Sequence, residues 1–351
     1  MDVKFQNPKR VLALKDRDGE ALRRAASGGA FSVLARPILQ DGGVVFGAHL
    51  SKGGVVAHCS IDSLEELPVL QGSAYVQSDI AGVYEELLAC VRSGRKTLFV
   101  GTPCQCAAIL NYLQAKRAIE SLSSCENLIL CELICHGVPN SELFEAHQEW
   151  LSKKLETDDG IHDFAFRTKR NGWGLYYYYY YYYRSARKYE VCEPGDYDPY
   201  YSAFLKGLTY RESCYQCPFA RRERIADFTI GDYWGIENEH EDFYDSRGVS
   251  VMLINNEKAN GYFVKRVASF CDWIESSFDS AARQNHNLNV PTKRPEGRDL
   301  LLSQIKMRRA AGEMDLLFDR DLRPKKTVKR FVKRILPASA FNAIKRLVKN
   351  G

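Results

Sequence analysis

The stretch KTLFVGTPCQCAAILNYL, residues 96–113, decides the fold class of this chain. Its first five residues, KTLFV, are typical of a buried strand, and from Cys104 to Leu113 the apolar residues recur at helical spacing. A turn of small residues, Gly101-Thr102-Pro103, joins the two. Such alternation predicts an α/β (α+β) fold whose core is a mixed or parallel sheet with helices. Further strands are predicted at residues 43–49 and 127–133, and further helices at residues 29–39 and 82–91.

The chain is expected to consist of three parts. Residues 1–150 form the α/β half, and residues 151–300 form a β-rich half that contains most of the tyrosines and a CxxC pair. An unbroken run of eight tyrosines, Tyr176 to Tyr183, predicts one strand of a solvent-edged hairpin, because tyrosine favours strands. Residues 301–351 form a helical, basic, amphipathic tail.

Length and composition exclude several classes of protein. The chain has 351 residues, of which 45% are hydrophobic and 26% are charged, so it can bury a sizeable core and is not a disordered polymer. No apolar run approaches the roughly 18 residues of a membrane span, and residues 1–10 lack the apolar core of a signal peptide. A cytoplasmic location is therefore expected. The eleven cysteines are odd in number and sparse, which favours metal binding over a disulfide framework.

The basic residues are concentrated at the end of the chain. After Asp321 there are ten Lys or Arg and no acid, although the whole chain carries a formal charge of only +5. Apolar residues at helical spacing between Val328 and Leu336 alternate with these cations. This pattern favours contact with the inner membrane surface, as a peripheral anchor. Docking on the same protein, or charge-driven contact with nucleic acid, is the alternative, and no specific nucleic-acid partner is predicted.

Four cysteines are the best candidates for metal ligands. Cys214 and Cys217 form a CxxC pair, whose spacing lets both sulfurs face one metal centre. Cys104 and Cys135 each follow a predicted strand in a turn of small residues. Four thiolates suit either a [4Fe–4S] cluster or a structural zinc, and the spacing does not decide between them. Two neighbouring cysteines could substitute for a loop ligand, namely Cys106 and Cys131.

Three turns of small residues are candidates for binding a phosphate group. Glycine lets backbone N–H groups approach a diphosphate, and a helix N-terminus adds a favourable dipole. None of the turns is a GxGxxG or a GxxxxGK[ST], so neither a nicotinamide fold nor a P-loop is supported. The turns are Ser27-Gly28-Gly29, Gly72-Ser73-Ala74-Tyr75 and Gly101-Thr102-Pro103.

Together these segments resemble the coenzyme F420 hydrogenase/dehydrogenase beta-subunit family. The resemblance covers roughly residues 10–256, and its seven motifs occur in the expected order. They are AASGGAFSVLARPIL (25–39), GGVVFGA (42–48), GSAYVQSD (72–79), LFVGTPCQCAAI (98–109), LICHGVPN (133–140), RESCYQCPFA (211–220) and DFTIGDYWGI (227–236).

The resemblance implies two cofactors, because members of this family hold FAD beside iron–sulfur clusters. It implies that residues 1–150 are the flavin-binding half. One [4Fe–4S] cluster is expected at Cys104, Cys135, Cys214 and Cys217. The residues implied for FAD are Ser27, Gly28, Gly29, Gly72, Ser73, Tyr75, Gly101 and Thr102.

The resemblance also implies an oxidoreductase that passes electrons between an external donor, the cluster, FAD and a small-molecule substrate. Many members begin with two CxxCxxCxxxCP runs, and residues 1–26 contain none, so a ferredoxin or a reduced cofactor is expected to supply the electrons. Asp232 in the GDYWG motif is the candidate catalytic residue, either as a polar partner of flavin or substrate or as a proton donor, and a turn-capping role is the alternative.

Relatives of this type also occur in surface-polysaccharide biosynthesis, which implies a lipid-linked substrate beside the basic tail. Two other functions stay open on the sequence. The cysteines could bind zinc in a non-redox protein docked on a membrane. Alternatively, the chain could bind a flavin or sugar nucleotide without electron transfer, as an accessory protein of a glycan pathway.

Overall fold

The computed structural model describes residues 4–184 and 186–323. Within them the chain forms eleven strands. The strands are β1 (Arg10–Asp16), β2 (Val44–Leu50), β3 (Val56–Ile61), β4 (Thr97–Gly101), β5 (Leu128–Leu133), β6 (His162–Ala165), β7 (Tyr176–Tyr183), β8 (Arg187–Pro194), β9 (Phe228–Asp232), β10 (Ser250–Ile254) and β11 (Cys271–Ser276).

Most of the α-helices lie between strands, as the alternating pattern predicts. The α-helices in the described residues are α1 (Gly19–Arg24), α2 (Ala30–Gln40), α3 (Leu67–Leu70), α4 (Tyr84–Arg92), α5 (Pro103–Ala115), α6 (Ser141–Lys154), α7 (Pro199–Leu205), α8 (Ile236–Glu239), α9 (Glu257–Tyr262), α10 (Phe278–Ala282), α11 (Arg298–Ala310) and α12 (Met314–Leu316).

One eight-stranded sheet organises the molecule, in the order β11-β1-β10-β9-β5-β4-β2-β3. Its inner strands β2, β4, β5 and β9 run parallel, whereas β3, β10, β1 and β11 are added with antiparallel neighbours. The predicted α/β fold with a mixed sheet is therefore confirmed. Strands β9 to β11 come from the second half of the chain, so both halves contribute to this sheet.

Both faces of the central sheet are covered, which explains why its strands are continuous apolar runs. In β4, Leu98 belongs to the core on the face of α2 and α9, while Phe99 belongs to the core formed with α4 and α5. Both side chains have no exposed surface. Helix α2 contributes Val33, Leu34 and Ile38 to the first of these cores.

The tyrosine run forms a hairpin strand, as predicted. β7 pairs antiparallel with β8 from Tyr176 opposite Pro194 to Tyr183 opposite Arg187, and β6 completes a three-stranded sheet. Alternation along the strand buries Tyr177 and Tyr179 in an aromatic core. The opposite face of β7 carries tyrosines that pack against cations, with Arg170 lying 3.9 Å from the ring centre of Tyr178.

The predicted membrane-binding segment, residues 324–351, lies outside the described residues. Among the residues that are described, no helix is both long and apolar enough to cross a membrane.

Candidate functional site

The ends of three neighbouring parallel strands bring the candidate residues to one edge of the sheet. β4 ends at Gly101, β5 ends two residues before Cys135, and β9 ends at Asp232. Because β4 pairs with β5 and β5 pairs with β9, all in parallel, their carboxyl ends are adjacent. Ligands of open α/β sheets bind outside this edge.

Cys104 lies in the first turn of α5. Thr102 and Gln105 form a reciprocal capping box at the start of this helix, and Pro103 occupies its first position, so the sequence after β4 specifies where the helix begins. The Cys104 thiol is exposed, and its sulfur lies 3.2 Å from the hydroxyl of Thr102.

Cys135 lies in the loop after β5 and is held by a tightly packed turn. The N–H of Gly137 donates a hydrogen bond to its thiol. Gly137 has φ = +135°, and a Cβ there would lie 2.3 Å from the ring of Tyr210, so only glycine fits. Burial raises the pKa of the Cys135 thiol to about 12, and the neighbouring thiols of Cys104, Cys214 and Cys217 add to the rise.

The CxxC pair lies in a short 3₁₀ turn, Glu212–Gln216, and its following residue. The backbone N–H groups of Phe219 and Ala220 act to lower the pKa of the Cys217 thiol, and that of Ala220 also donates to the Cys217 carbonyl at 3.3 Å. Burial raises the pKa of Cys217, and the charges of Cys104 and Cys214 act in the same direction. The turn is tied to the Cys135 loop by a hydrogen bond of 2.9 Å from the N–H of Arg211 to the carbonyl of Val138.

The four candidate cysteines are therefore neighbours, since Cys135 interacts electrostatically with the other three. In residues 4–184 and 186–323, no three His, Cys, Asp or Glu side chains form a group that could hold a single metal ion. The two substitute candidates are placed differently. Cys106 and Cys131 are fully buried in the cores of the sheet, and the thiol of Cys106 donates to the Cys131 carbonyl at 3.5 Å.

The first turn of small residues packs closely against the sheet. A Cβ at Gly28 would lie 2.3 Å from the carbonyl oxygen of Leu14 and from the backbone nitrogen of Ser250, so Gly28 allows the turn to touch β1 and β10. Gly29 has φ = +88° and caps α2. The hydroxyl of Ser27 donates to the carbonyl of Val249 at 2.8 Å.

The other two turns are linked to the same edge by side-chain hydrogen bonds. Gln71, just before Gly72-Ser73, donates at 2.7 Å to the hydroxyl of Ser32 in the first turn of α2. Gln105, next to the Gly101-Thr102 turn, donates at 3.0 Å to the carbonyl of Ser78. Gly72 itself is open, with no atom within 4 Å of where a Cβ would lie.

Asp232, which is half-buried, is held in an ion pair with the buried Arg167. Its two carboxylate oxygens accept hydrogen bonds from the guanidinium of Arg167 at 2.8 and 2.9 Å, and Trp173 donates to one of them at 2.7 Å. Burial acts to raise the pKa of Asp232, but Arg167, with help from Trp173 and Ser27, holds it below its usual range. Asp232 is therefore ionised at neutral pH.

Two further residues of this site carry no sequence signal. Arg167, which is 6% exposed, also donates to the hydroxyl of Tyr75 at 3.2 Å and to the carbonyl of Ala26 at 2.7 Å. The ammonium of Lys169 donates to the carbonyls of Leu22 and Ser27, and burial lowers its pKa to about 8. Both lie in the short basic stretch Arg167-Thr168-Lys169-Arg170, which matches no motif, and only the tertiary fold brings them to Ser27.

A surface cavity of about 720 Å³ lies away from this edge, between residues 52–55 and α6. It contains none of the candidate cysteines or turn residues, so it does not define the site.

Comparisons with known proteins identify the family of this chain. Residues 94–270 match the family model that describes the C terminus of the coenzyme F420 hydrogenase/dehydrogenase beta subunit. That range holds all four candidate cysteines and Asp232, whereas the turns at residues 27–29 and 72–75 precede it. No curated protein matches the chain.

The fold is also similar to a solved structure. A chain of the F420-reducing [NiFe] hydrogenase complex from Methanosarcina barkeri, studied as a xenon derivative, aligns with a TM-score of 0.51 and 15% sequence identity. The alignment covers 89% of this chain and 97% of the other. Since the family model spans half of the residues, the chain belongs to the coenzyme F420 hydrogenase/dehydrogenase beta-subunit family.

Proposed function

We propose that this protein is an iron–sulfur flavoprotein oxidoreductase, which passes electrons between an external donor and a small-molecule substrate by way of one [4Fe–4S] cluster and FAD. Membership of the family indicates a redox subunit. The observation that carries the finer proposal is the meeting of four thiols at the sheet edge where the three turns also converge.

The residues at the sheet edge fit an iron–sulfur cluster. Cys104, Cys135, Cys214 and Cys217 provide four thiols, which is the usual donor set of a [4Fe–4S] cluster. Backbone N–H groups already point at two of the sulfurs, and such hydrogen bonds stabilise the charge of a bound thiolate. Thiols that hold a cluster would stand further apart than the ligands of one metal ion, which fits the lack, among the described residues, of a group that could hold a single ion. A bound cluster supplies one-electron exchange.

The turns offer a site for FAD. A bound flavin would accept electrons one at a time and pass them on in pairs. The N-terminus of α2 follows Gly29, and the link from Gln71 to Ser32 places the open Gly72 turn beside it. This helix end suits a diphosphate. Gly28 contributes to cofactor binding indirectly, because it lets the turn pack against β1 and β10.

Arg167 and Lys169 are two cationic side chains that lie beside the first turn of this site. Asp232 neutralises the charge of Arg167, so the ammonium of Lys169 is the net positive charge that favours the binding of an anionic cofactor or substrate group. Asp232 is ionised and paired, so its role is to hold Arg167 in place, and proton donation is not the role that we assign to it.

The external donor has access to the cysteines from one side. Cys104 is the exposed member of the four, which makes it the point closest to an electron-transfer partner. A ferredoxin or a reduced small cofactor is the donor class that we propose. A lipid-linked substrate and a role in surface-polysaccharide biosynthesis remain predictions that depend on residues 324–351.

Anaerobic purification of the full chain tests this proposal. We expect flavin absorption together with about four irons and four acid-labile sulfides per chain. The C214S/C217S double variant should lose the iron and the cluster absorption and keep its fold by circular dichroism. The matched control is Cys192→Ser, because Cys192 is a half-buried thiol on β8, outside the site.

Other outcomes would overturn the proposal. A colourless protein with stoichiometric zinc would support the non-redox accessory function. Iron retained in the C214S/C217S variant would show that the CxxC pair is not a ligand pair.

A further inference from the structure

Arg224 does not behave like the other arginines that follow the CxxC pair. Arg221 and Arg222 have exposed side chains and pair with acids at the surface. Arg224 is only 2% exposed and is among the largest fully buried side chains. A buried guanidinium needs a partner, because its transfer from water costs several kcal/mol otherwise.

The charged partner of Arg224 is Glu132 on β5, which is 1% exposed, and the guanidinium also donates to the carbonyl of Leu288 at 3.0 Å. A guanidinium nitrogen of Arg224 lies 3.3 Å from a carboxylate oxygen of Glu132, and Thr229 donates to the same oxygen at 3.0 Å. The pair is incompletely hydrogen-bonded, since Nε of Arg224 and the second carboxylate oxygen of Glu132 have no partner within the described residues. A purely structural pair would contribute little in this form, because replacement by apolar residues is often neutral or stabilising.

The guanidinium is connected to the cysteine site through one peptide group. Arg224 donates to the carbonyl of Phe219 at 3.3 Å. The N–H of the same peptide belongs to Ala220, which donates to the carbonyl of Cys217 at 3.3 Å and also acts on the Cys217 thiol. Hydrogen bonds in such a chain polarise one another, so the cation strengthens the donor that faces the sulfur.

We propose that Arg224 is a positioning residue that sets the reduction potential of the cluster at Cys217, with Glu132 as its opposing charge. This inference rests on the proposed [4Fe–4S] function. Reduction adds one negative charge to the cluster, and a nearby cation in a medium of low dielectric constant stabilises the reduced form. Arg224 therefore raises the potential and Glu132 lowers it.

The test is a redox titration of the purified holoprotein with dithionite at fixed pH, followed by cluster absorption and electron paramagnetic resonance. R224Q should shift the midpoint potential to a lower value, and E132Q should shift it to a higher value. R224Q/E132Q should lie between the two. R222Q is the matched control, and it should leave the midpoint unchanged because water screens an exposed charge.

The outcomes separate this inference from the proposed function. A wild-type chain that binds no cluster overturns both. A cluster whose midpoint is the same in wild type, R224Q and E132Q overturns the inference and leaves the function standing, even if the thermal midpoint of the variants falls. If R224Q loses its cluster, the midpoint potential of E132Q tests the inference instead. A higher midpoint potential in E132Q supports the inference, and an unchanged one refutes it.

Discussion

Arg167 binds Asp232 through both of its terminal nitrogens, at 2.8 and 2.9 Å from the two carboxylate oxygens. The same guanidinium holds the Tyr75 hydroxyl and the Ala26 carbonyl, so one side chain joins the end of β9 to two of the turns at the sheet edge. The planar guanidinium and the planar carboxylate form two parallel hydrogen bonds, and such two-fold pairing is the strongest kind of charge-assisted hydrogen bond.

The ion pair predicts a large cost for Asp232→Asn. The variant leaves Arg167 buried without a counter-charge, so the free energy of unfolding should fall by about 3–5 kcal/mol in urea denaturation. Asp279→Asn is the control, since Asp279 forms an exposed pair with Arg222 and should change stability by less than about 0.5 kcal/mol. Equal effects of the two substitutions would contradict this account.

The burial of His58 predicts that the folded protein loses stability in acid. The Nε2 of His58 lies 3.0 Å from the carbonyl of Val100 and therefore donates, while Nδ1 accepts from the Ser78 hydroxyl at 2.7 Å. Burial lowers the pKa of His58 from 6.5 to about 4. The unfolded chain then binds the proton more readily, so the stability present above pH 6.5 is lost as the pH falls towards 4.

The shift at His58 corresponds to a loss of about 3 kcal/mol between those limits. Urea denaturation of wild type and His58→Gln at several pH values measures it, because carboxylates titrate equally in both proteins. The difference in their slopes should appear between pH 6.5 and 4. Parallel curves would mean that His58 is not buried as a neutral imidazole.

The close packing around Gly28 predicts that a larger residue there lowers the stability of the fold. In Gly28→Ala the new methyl group would overlap two backbone atoms, which cannot move as the end of a side chain could, so we expect a loss of about 3 kcal/mol. Gly82→Ala is the control, because no atom lies within 4 Å of that position, and its effect should stay within about 1 kcal/mol. Thermal unfolding of the two variants provides the measurement, and similar melting temperatures would argue against close packing at Gly28.

The alternating burial along β7 predicts that substitutions of successive tyrosines differ in their effect on stability. Tyr179 is 5% exposed and lies in the aromatic core beside Phe164, so Tyr179→Ala should cost about 3–5 kcal/mol. Tyr182 lies on the opposite face and is half-buried, and Tyr182→Ala should cost about 1 kcal/mol or less. A reversed order in chemical denaturation would mean that the hairpin register is shifted by one residue.

The central strands could be predicted from the sequence because they are buried on both faces. The apolar runs at residues 43–49, 96–100 and 127–133 correspond to β2, β4 and β5 within one residue at each end. Continuous apolar runs bounded by small-residue turns leave few alternatives. Their parallel order then places Cys104 and Cys135 at one edge.

The environment of single charged residues could not be predicted in this way. Arg224 stands in a run of arginines that is typical of a solvated surface, and only the tertiary structure buries it against Glu132. Arg167 belongs to no motif, yet it fixes Asp232. In the sequence, Gly28 fits a ligand-binding turn and a close strand contact equally well, and the strand contact is seen only in the space around its Cα.

The cysteines also have a consequence for how the protein matures in the cell. Cys104 and Cys217 are more than one hundred residues apart, and they become neighbours only when β9 has joined β5 and β5 has joined β4. Such distant pairings form late, because the closure of long loops costs entropy before any contact compensates for it. A centre that requires all four thiols can therefore be inserted only into a chain that has completed its sheet. If the proposed cluster is present, its insertion would distinguish molecules that have finished folding from those that have not.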